Sequence, residues 1–220
     1  MSHGRVGKDP TKQERKVNIM KMKRFLGMIL LVFMLVATTV GASAATHVVR
    51  KGESLWRIAV NYQIGLSEIK EANPSIKNFD LIYPGQLINI PETDASVAAF
   101  ESEVVHLVNK VRSENGLQAL KQDWQLARVA RYKSQDMRNL GYFSHTSPTY
   151  GSPFEMMKSF GISYRTAGEN IAKGYATPHA VVNAWMNSPG HRANILNSAY
   201  THIGVGYVKD GNYWTQMFRS

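Results

Sequence analysis

Residues Thr46 to Pro91 carry a strand pattern, two short helix patterns and a second strand pattern within 46 residues. That order confines the stretch to a domain near the small limit at which one apolar core suffices. Thr46-His47-Val48-Val49 is the opening strand, and Lys51-Gly52-Glu53-Ser54-Leu55 leads into a helix over Leu55 to Tyr62. Ser54 is placed to cap that helix, because its hydroxyl can accept from the free amides of the first turn. Trp56, Ile58, Ala59 and Tyr62 supply most of its apolar and aromatic surface. A second helix spans Leu66 to Ala72, with Ile64, Leu66 and Ile69 beneath it and Glu68, Lys70 and Glu71 facing water. Gly65 is an acceptable but weaker cap. Pro84-Gly85 is a turn signal before the closing strand, whose Leu87, Ile88 and Ile90 read as core formers.

Ahead of this stretch, Lys21, Lys23 and Arg24 precede an apolar run from Phe25 to Val40, and small residues follow in Ala42-Ser43-Ala44. Residues 1–45 thus read as a secretory signal peptide with an extended basic region, cleaved after Ala44 or Ala45, with Met20 or Met22 the natural initiator. The alternative is an uncleaved anchor, since Phe25 to Ala45 is long enough to span a bilayer. The formal charge of +10 invites a nucleic-acid reading. Residues 1–45 account for 8 Lys/Arg against 2 Asp/Glu, which leaves a scattered 18 against 14 beyond them. No basic run with interleaved aromatics is present, so nucleic acid is not an expected partner. The balance supports weak attraction to anionic wall polymers at most. Cysteine is absent, which excludes a disulfide framework and thiolate chemistry in an exported chain.

Glu92 to Ala98 is polar and small, a short linker. From about Ala99 the pattern turns helical. Val104, Leu107, Val108 and Val111 recur at helical spacing until Gly116. Leu126, Val129, Ala130, Met137 and Leu140 mark a second long helix stopped by Gly141. Ser152 to Phe160, with Pro153 in its first turn, is a third, and Pro178 to Met186 a fourth. Ile203, Val205 and Tyr207 alternate ahead of a Lys209-Asp210-Gly211-Asn212 turn and Tyr213 to Phe218, which reads as a β-hairpin. The class is α+β.

Along its whole length the stretch 46–91 resembles the LysM (lysin motif) family, with Gly65 standing where such sequences usually carry Ser or Thr. The resemblance implies a βααβ fold that binds N-acetylglucosamine polymers, peptidoglycan in a bacterium. Sugar then sits between two loops, Gly52-Glu53-Ser54-Leu55 on one side and Asn73-Pro74 through Ile82-Tyr83-Pro84 on the other. Gly52, Asn73 and Pro84 either shape turns there or touch ligand. Further on, Tyr142-Phe143-Ser144-His145, Ala167-Gly168-Glu169-Asn170-Ile171, Ser188-Pro189-Gly190-His191-Arg192-Ala193-Asn194-Ile195-Leu196 and Tyr213-Trp214-Thr215-Gln216-Met217-Phe218 follow Leu107 to Arg112 in order. Together these resemble the CAP superfamily (cysteine-rich secretory, antigen 5 and pathogenesis-related 1 proteins) in its small bacterial form. The match covers residues 99–220 and implies an α-β-α sandwich. The combination is similar to bacterial cell-wall and spore-envelope proteins.

That resemblance also implies a cleft of two His and two acidic residues: His145, Glu169 and His191, with Glu155 of Pro153-Phe154-Glu155 as the fourth. Two imidazoles and two carboxylates suit zinc or another divalent cation. Spacings of 10, 14 and 22 residues match no metalloprotease motif. The same residues serve equally as a hydrogen-bonded network that staples helices to a sheet. Asn170 and Asn194 are expected to bond backbone in turns, and Trp185, Trp214 and Phe218 to lie in the core. Nothing sets a base and an orienting acid around a serine. The expected role is a wall-targeted binding protein, the CAP domain offering its cleft to a protein or lipid partner. The alternatives are a secreted metal-dependent hydrolase and a structural component of an envelope.

Overall fold

The computed structural model describes Met1, residues 45–92 and residues 94–220. The leader expected over residues 1–45 lies almost entirely outside these.

In the first domain β1 (Ala45–Val48) is followed by α1 (Leu55–Asn61), α2 (Leu66–Glu71) and β2 (Leu87–Ile90). The strands pair antiparallel, with His47 opposite Ile88 and Thr46 opposite Asn89. Ser54 caps α1 as expected, its Oγ accepting from the Arg57 amide at 3.3 Å. Val49, Leu55, Ile58, Ala59, Ile69, Ile88 and Ile90 form the core. Leu87 does not join them. It is 62% exposed, because a strand alternates its faces and Ile88 and Ile90 take the inward one.

The second domain opens with α3 (Ala95–Glu114), which begins earlier than the linker reading allowed. Asp94 caps it by accepting from the Ser96 amide at 2.8 Å, and alanines favour helix, so the last four linker residues are already wound. Then come β3 (Lys121–Gln122), α4 (Trp124–Leu140), α5 (Pro153–Ser159), β4 (Ala167–Lys173), α6 (Pro178–Met186), α7 (Pro189–Ile195), β5 (His202–Val208) and β6 (Tyr213–Arg219). Gly141 ends α4 in the left-handed region at φ 69°. The sheet order is β3-β5-β6-β4, with β3 parallel to β5 and the other neighbours antiparallel.

Helices cover both faces of this sheet. On one, Val104 and Val108 of α3 and Val181 and Trp185 of α6 pack with Val205, Trp214 and Phe218. On the other, Leu126, Val129 and Ala130 of α4 and Met156 and Met157 of α5 pack on Met217. The second layer fits closely because Gly204 and Gly206 point at α4. A Cβ at residue 204 would lie 2.2 Å from the Ala127 nitrogen, and one at 206 would lie 2.1 Å from the Arg131 nitrogen. The alternation in Ile-Gly-Val-Gly-Tyr therefore buries large side chains on one face and brings a helix backbone onto the other.

Candidate functional site

The first domain presents its loops at one end. Gly52 takes φ 85°, and the Glu53 carboxylate accepts from the Arg50 amide at 2.8 Å while pairing with the His47 ring at 2.8 Å. Ser54 is occupied as a helix cap and Leu55 is 3% exposed, so the exposed part of this loop is Gly52 and its neighbours. Across from it, Asn73 is buried. Its amide nitrogen donates to the Ile69 carbonyl at 2.6 Å and the Asn89 carbonyl at 2.7 Å, and its oxygen accepts from the Asn89 amide at 2.7 Å. It ties α2 to β2, with both amide hydrogens spent on backbone and the side chain closed off from a ligand by burial. Pro74 and Pro84 are exposed and Ile82 is half-buried. Tyr83 is 58% exposed and borders an open groove of about 690 Å³ with Ile76, Lys77, Leu81, Gln86 and Leu87. Apolar and aromatic side chains lining a shallow groove match the C–H faces of a sugar.

In the second domain β4 is an edge strand, and its register assigns its residues to faces. Glu169 lies opposite Met217, on the α4 side. Asn170 lies opposite Gln216 on the other, and its amide nitrogen donates to the Gln216 side chain at 2.9 Å and to the His191 carbonyl at 3.1 Å. Asn194 donates to Asn170 at 2.8 Å and to the Glu169 carbonyl at 3.2 Å. These asparagines thus join a strand to a helix instead of closing turns.

His145 sits on the loop after α4. Its Nδ1 meets Glu169 Oε1 at 2.7 Å. The Glu169 side chain is 1% exposed and that of His145 53%. A carboxylate on Nδ1 fixes the ring so that Nε2 faces outward. Beneath this pair lies Lys133, fully buried, whose ammonium donates to the His145 carbonyl at 2.9 Å and to the Tyr142 hydroxyl at 3.2 Å. One turn further along α4, Asp136 accepts from Ser147 at 2.7 Å, from Thr149 at 2.6 Å and from the Tyr142 hydroxyl. Lys133 and Asp136 therefore hold the whole loop that carries His145. Burial pushes the Glu169 carboxyl up from its ordinary value, against the hydrogen bond from His145 and the charge of Lys133. Glu169 Oε2 is buried and has no hydrogen-bond partner among the described residues. His191 is held below its ordinary value by burial first and by the charge of His145 second. Its ring borders a small cavity of about 280 Å³ with Phe143, Tyr175, Trp185 and Ser188.

Glu155 does not join them. It is the third residue of α5, and its carboxylate accepts from the Ser152 amide at 2.8 Å and hydroxyl at 2.7 Å while Ser152 accepts from the Glu155 amide. Helix-start chemistry claims it as the acidic half of a capping box. Among the described residues no group of three or more His, Cys, Asp or Glu side chains is placed to hold a metal ion. The four residues do not assemble as one ligand set: Glu155 is engaged in its capping box, while the Glu169 bond to Nδ1 of His145 leaves Nε2 as the open nitrogen of that ring, an orientation that metal-bound histidines also take. Lys133, Asp136 and Tyr142 escaped the sequence reading. Lys133 occupies the inward stripe of α4 between Ala130 and Met137, and a lysine on an apolar stripe was the signal.

Residues 105–218 match the CAP model, described as the cysteine-rich secretory protein family. The chain belongs to the CAP family. Residues 47–91 match the LysM domain model, so a LysM domain precedes the CAP domain. YkwD of Bacillus subtilis (strain 168), itself described as uncharacterized, is 64% identical over 124 residues, covering 56% of this chain and 48% of its own length. The N-acetylmuramoyl-L-alanine amidase sle1 of Staphylococcus aureus (strain USA300) is 25% identical over 209 residues, covering 83% of this chain and 62% of its own length. Among solved structures, an extracellular protein containing a SCP domain from Bacillus anthracis str. Ames aligns with a TM-score of 0.55 at 34% identity, over 62% of this chain and 47% of that one. The chain spans about half or less of the length of the first curated relatives it matches.

Proposed function

We propose that this chain is an exported, envelope-associated protein whose LysM domain holds peptidoglycan and whose CAP domain offers the His145–Glu169 cleft as a binding surface without turning over a substrate. The observation that carries the first half is the open groove at Tyr83, with exposed apolar side chains beside loop backbone. The match to LysM, a relative named an N-acetylmuramoyl-L-alanine amidase and a structural relative titled extracellular support a location at the wall or another layer of the same polymer. The reading of the CAP cleft rests on what surrounds His145. It has an orienting carboxylate, but among the described residues no serine or threonine hydroxyl is hydrogen-bonded to it or to the His191 ring. A pair of His and Glu with no hydroxyl bonded to it presents a hydrogen-bonding edge to a ligand and lacks the side-chain nucleophile of a covalent mechanism.

Sedimentation of the full chain with purified insoluble peptidoglycan tests the first half. Tyr83→Ala is expected to weaken binding about tenfold, since aromatic side chains dominate such contacts. Equal sedimentation of the variant would remove the groove from consideration. For the cleft, added Zn²⁺ should leave the melting temperature unchanged. A rise that disappears in His145→Ala would reinstate a metal site.

A further inference from the structure

Gly65 departs from the Ser or Thr usual in LysM sequences, and its surroundings give a reason. A Cβ at residue 65 would lie 2.0 Å from Arg128 Nε and 2.0 Å from Glu68 Oε2. Arg128 belongs to the CAP domain, on α4. It reaches the start of α2 and donates from Nε to Glu68 Oε1 at 2.7 Å and from a terminal nitrogen to Ser67 Oγ at 2.9 Å. The same guanidinium lies over the rings of Tyr132, at 5.5 Å, and Phe160, at 5.1 Å. The Tyr132 hydroxyl is 3.4 Å from Ser67 Oγ. Arg128 is 19% exposed and Glu68 27%, so Glu68 does not face water as its helix pattern suggested.

An isolated surface ion pair would hold little. Here one guanidinium makes two directed hydrogen bonds while lying against two adjoining aromatic rings, and it is largely withdrawn from solvent. No apolar core cluster among the described residues draws on both domains. Beside the contact the domains leave clefts of about 660 and 330 Å³ lined by residues of both. Residues 44–220 nevertheless form one compact unit. With no shared core, the polar clamp is what sets the orientation.

We propose that the Gly65–Ser67–Glu68 face of the LysM domain is an interaction surface whose partner is the CAP domain of the same chain, with Arg128 as the plug and Gly65 as the socket that admits it. The restored family residue, Ser or Thr, would cap α2 better and yet fill the socket. Glycine is the residue that favours docking over helix-start stability. The inference does not depend on what either domain binds.

The absence of cysteine allows clean spin labelling of the full chain through Lys77→Cys in the LysM domain and Glu114→Cys in the CAP domain, both exposed. Pulsed electron paramagnetic resonance should give one narrow distance in the parent. Gly65→Ser should lose it and give a broad distribution with the helix content unchanged, because Ser is a good cap while Arg128, held against Tyr132 and Phe160, is displaced from its seat. Arg128→Ala should do the same without touching the LysM domain. Exchanging the charges, Glu68→Arg with Arg128→Glu, should recover part of the narrow distance that either change alone abolishes. A broad distribution in the parent, or a narrow one that survives both Gly65→Ser and Arg128→Ala, would overturn the proposal.

Discussion

In the LysM domain one polar side chain, Asn73, is buried, whereas the CAP domain buries Glu101, Arg112, Lys133, Asp123 and Glu169 among others. The difference follows size. A core of a few aliphatic residues cannot offset the desolvation of a charge, so the LysM domain uses a neutral amide whose hydrogen bonds all go to backbone. The CAP domain has two apolar layers around a sheet and can enclose charges, provided each finds partners. Arg112 donates to the carbonyls of Gln118, Ile195 and Asn197 at 2.7 to 2.9 Å. Glu101 accepts from Arg131 and from the Tyr207 amide. Among the described residues two buried polar atoms lack a partner, Glu169 Oε2 beside His145 and Gln216 Nε2 on the other face of the sheet, and both belong to the CAP domain. The domain that can enclose charge is thus also the one that leaves polar atoms unpaired.

The largest expected effect is that of Arg112→Leu. It strands three carbonyls between α3 and the end of α7 and should destabilise the CAP domain by about 3–5 kcal/mol, read by denaturant unfolding. Next is Asn73→Ala, which should cost the LysM domain about 2–3 kcal/mol and unfold it well before the CAP domain. If both domains lost stability equally, the contrast between them would fail.

A pH titration sharpens the comparison further. Glu169 holds its proton more tightly folded than unfolded, so its contribution to stability is full below its ordinary 4.5 and declines as the pH rises through the raised value. Glu169→Gln should flatten that decline in the urea midpoint. His191 works in the opposite sense: its folded value lies below the ordinary 6.5, so stability rises with pH between the two. His191→Gln should remove that rise. The smallest effect belongs to Glu155→Ala. It removes half of an exposed capping box and should lower the melting temperature slightly, with the titration of Glu169 unmoved. A changed titration would return Glu155 to the cleft.

The LysM domain was legible almost to the residue because its elements are local: cap, helix and turn signals sit beside what they govern. In the CAP domain the long helices and the hairpin were equally clear from periodicity. β4 was not read as a strand, since Ala-Gly-Glu-Asn-Ile-Ala-Lys has weak strand preference and is extended by pairing with β6, over forty residues on. α7 was hidden within a motif quoted for its histidine. The cleft divided in the same way. His145, Glu169 and His191 came from motif resemblance. Lys133 and Asp136 were missed because their partners belong to a loop that no periodicity locates. Glu155 was misplaced because a carboxylate three residues after a serine serves a helix start as readily as a cleft. The clamp at Gly65 was visible as a departure from pattern, but its reason lies 63 positions further along the chain, at Arg128.

The sheet order has a consequence for biogenesis. β4 and β5 do not touch; both pair with β6, which follows every other described element in the chain. While residues 213–219 are still being synthesised, the CAP sheet lacks the strand that joins its halves, and Arg219 has not yet met Asp123. The two-stranded LysM sheet needs nothing beyond Ile90 and can close at once. The chain thus emerges with an early-folding head and a body that stays loose until β6 arrives.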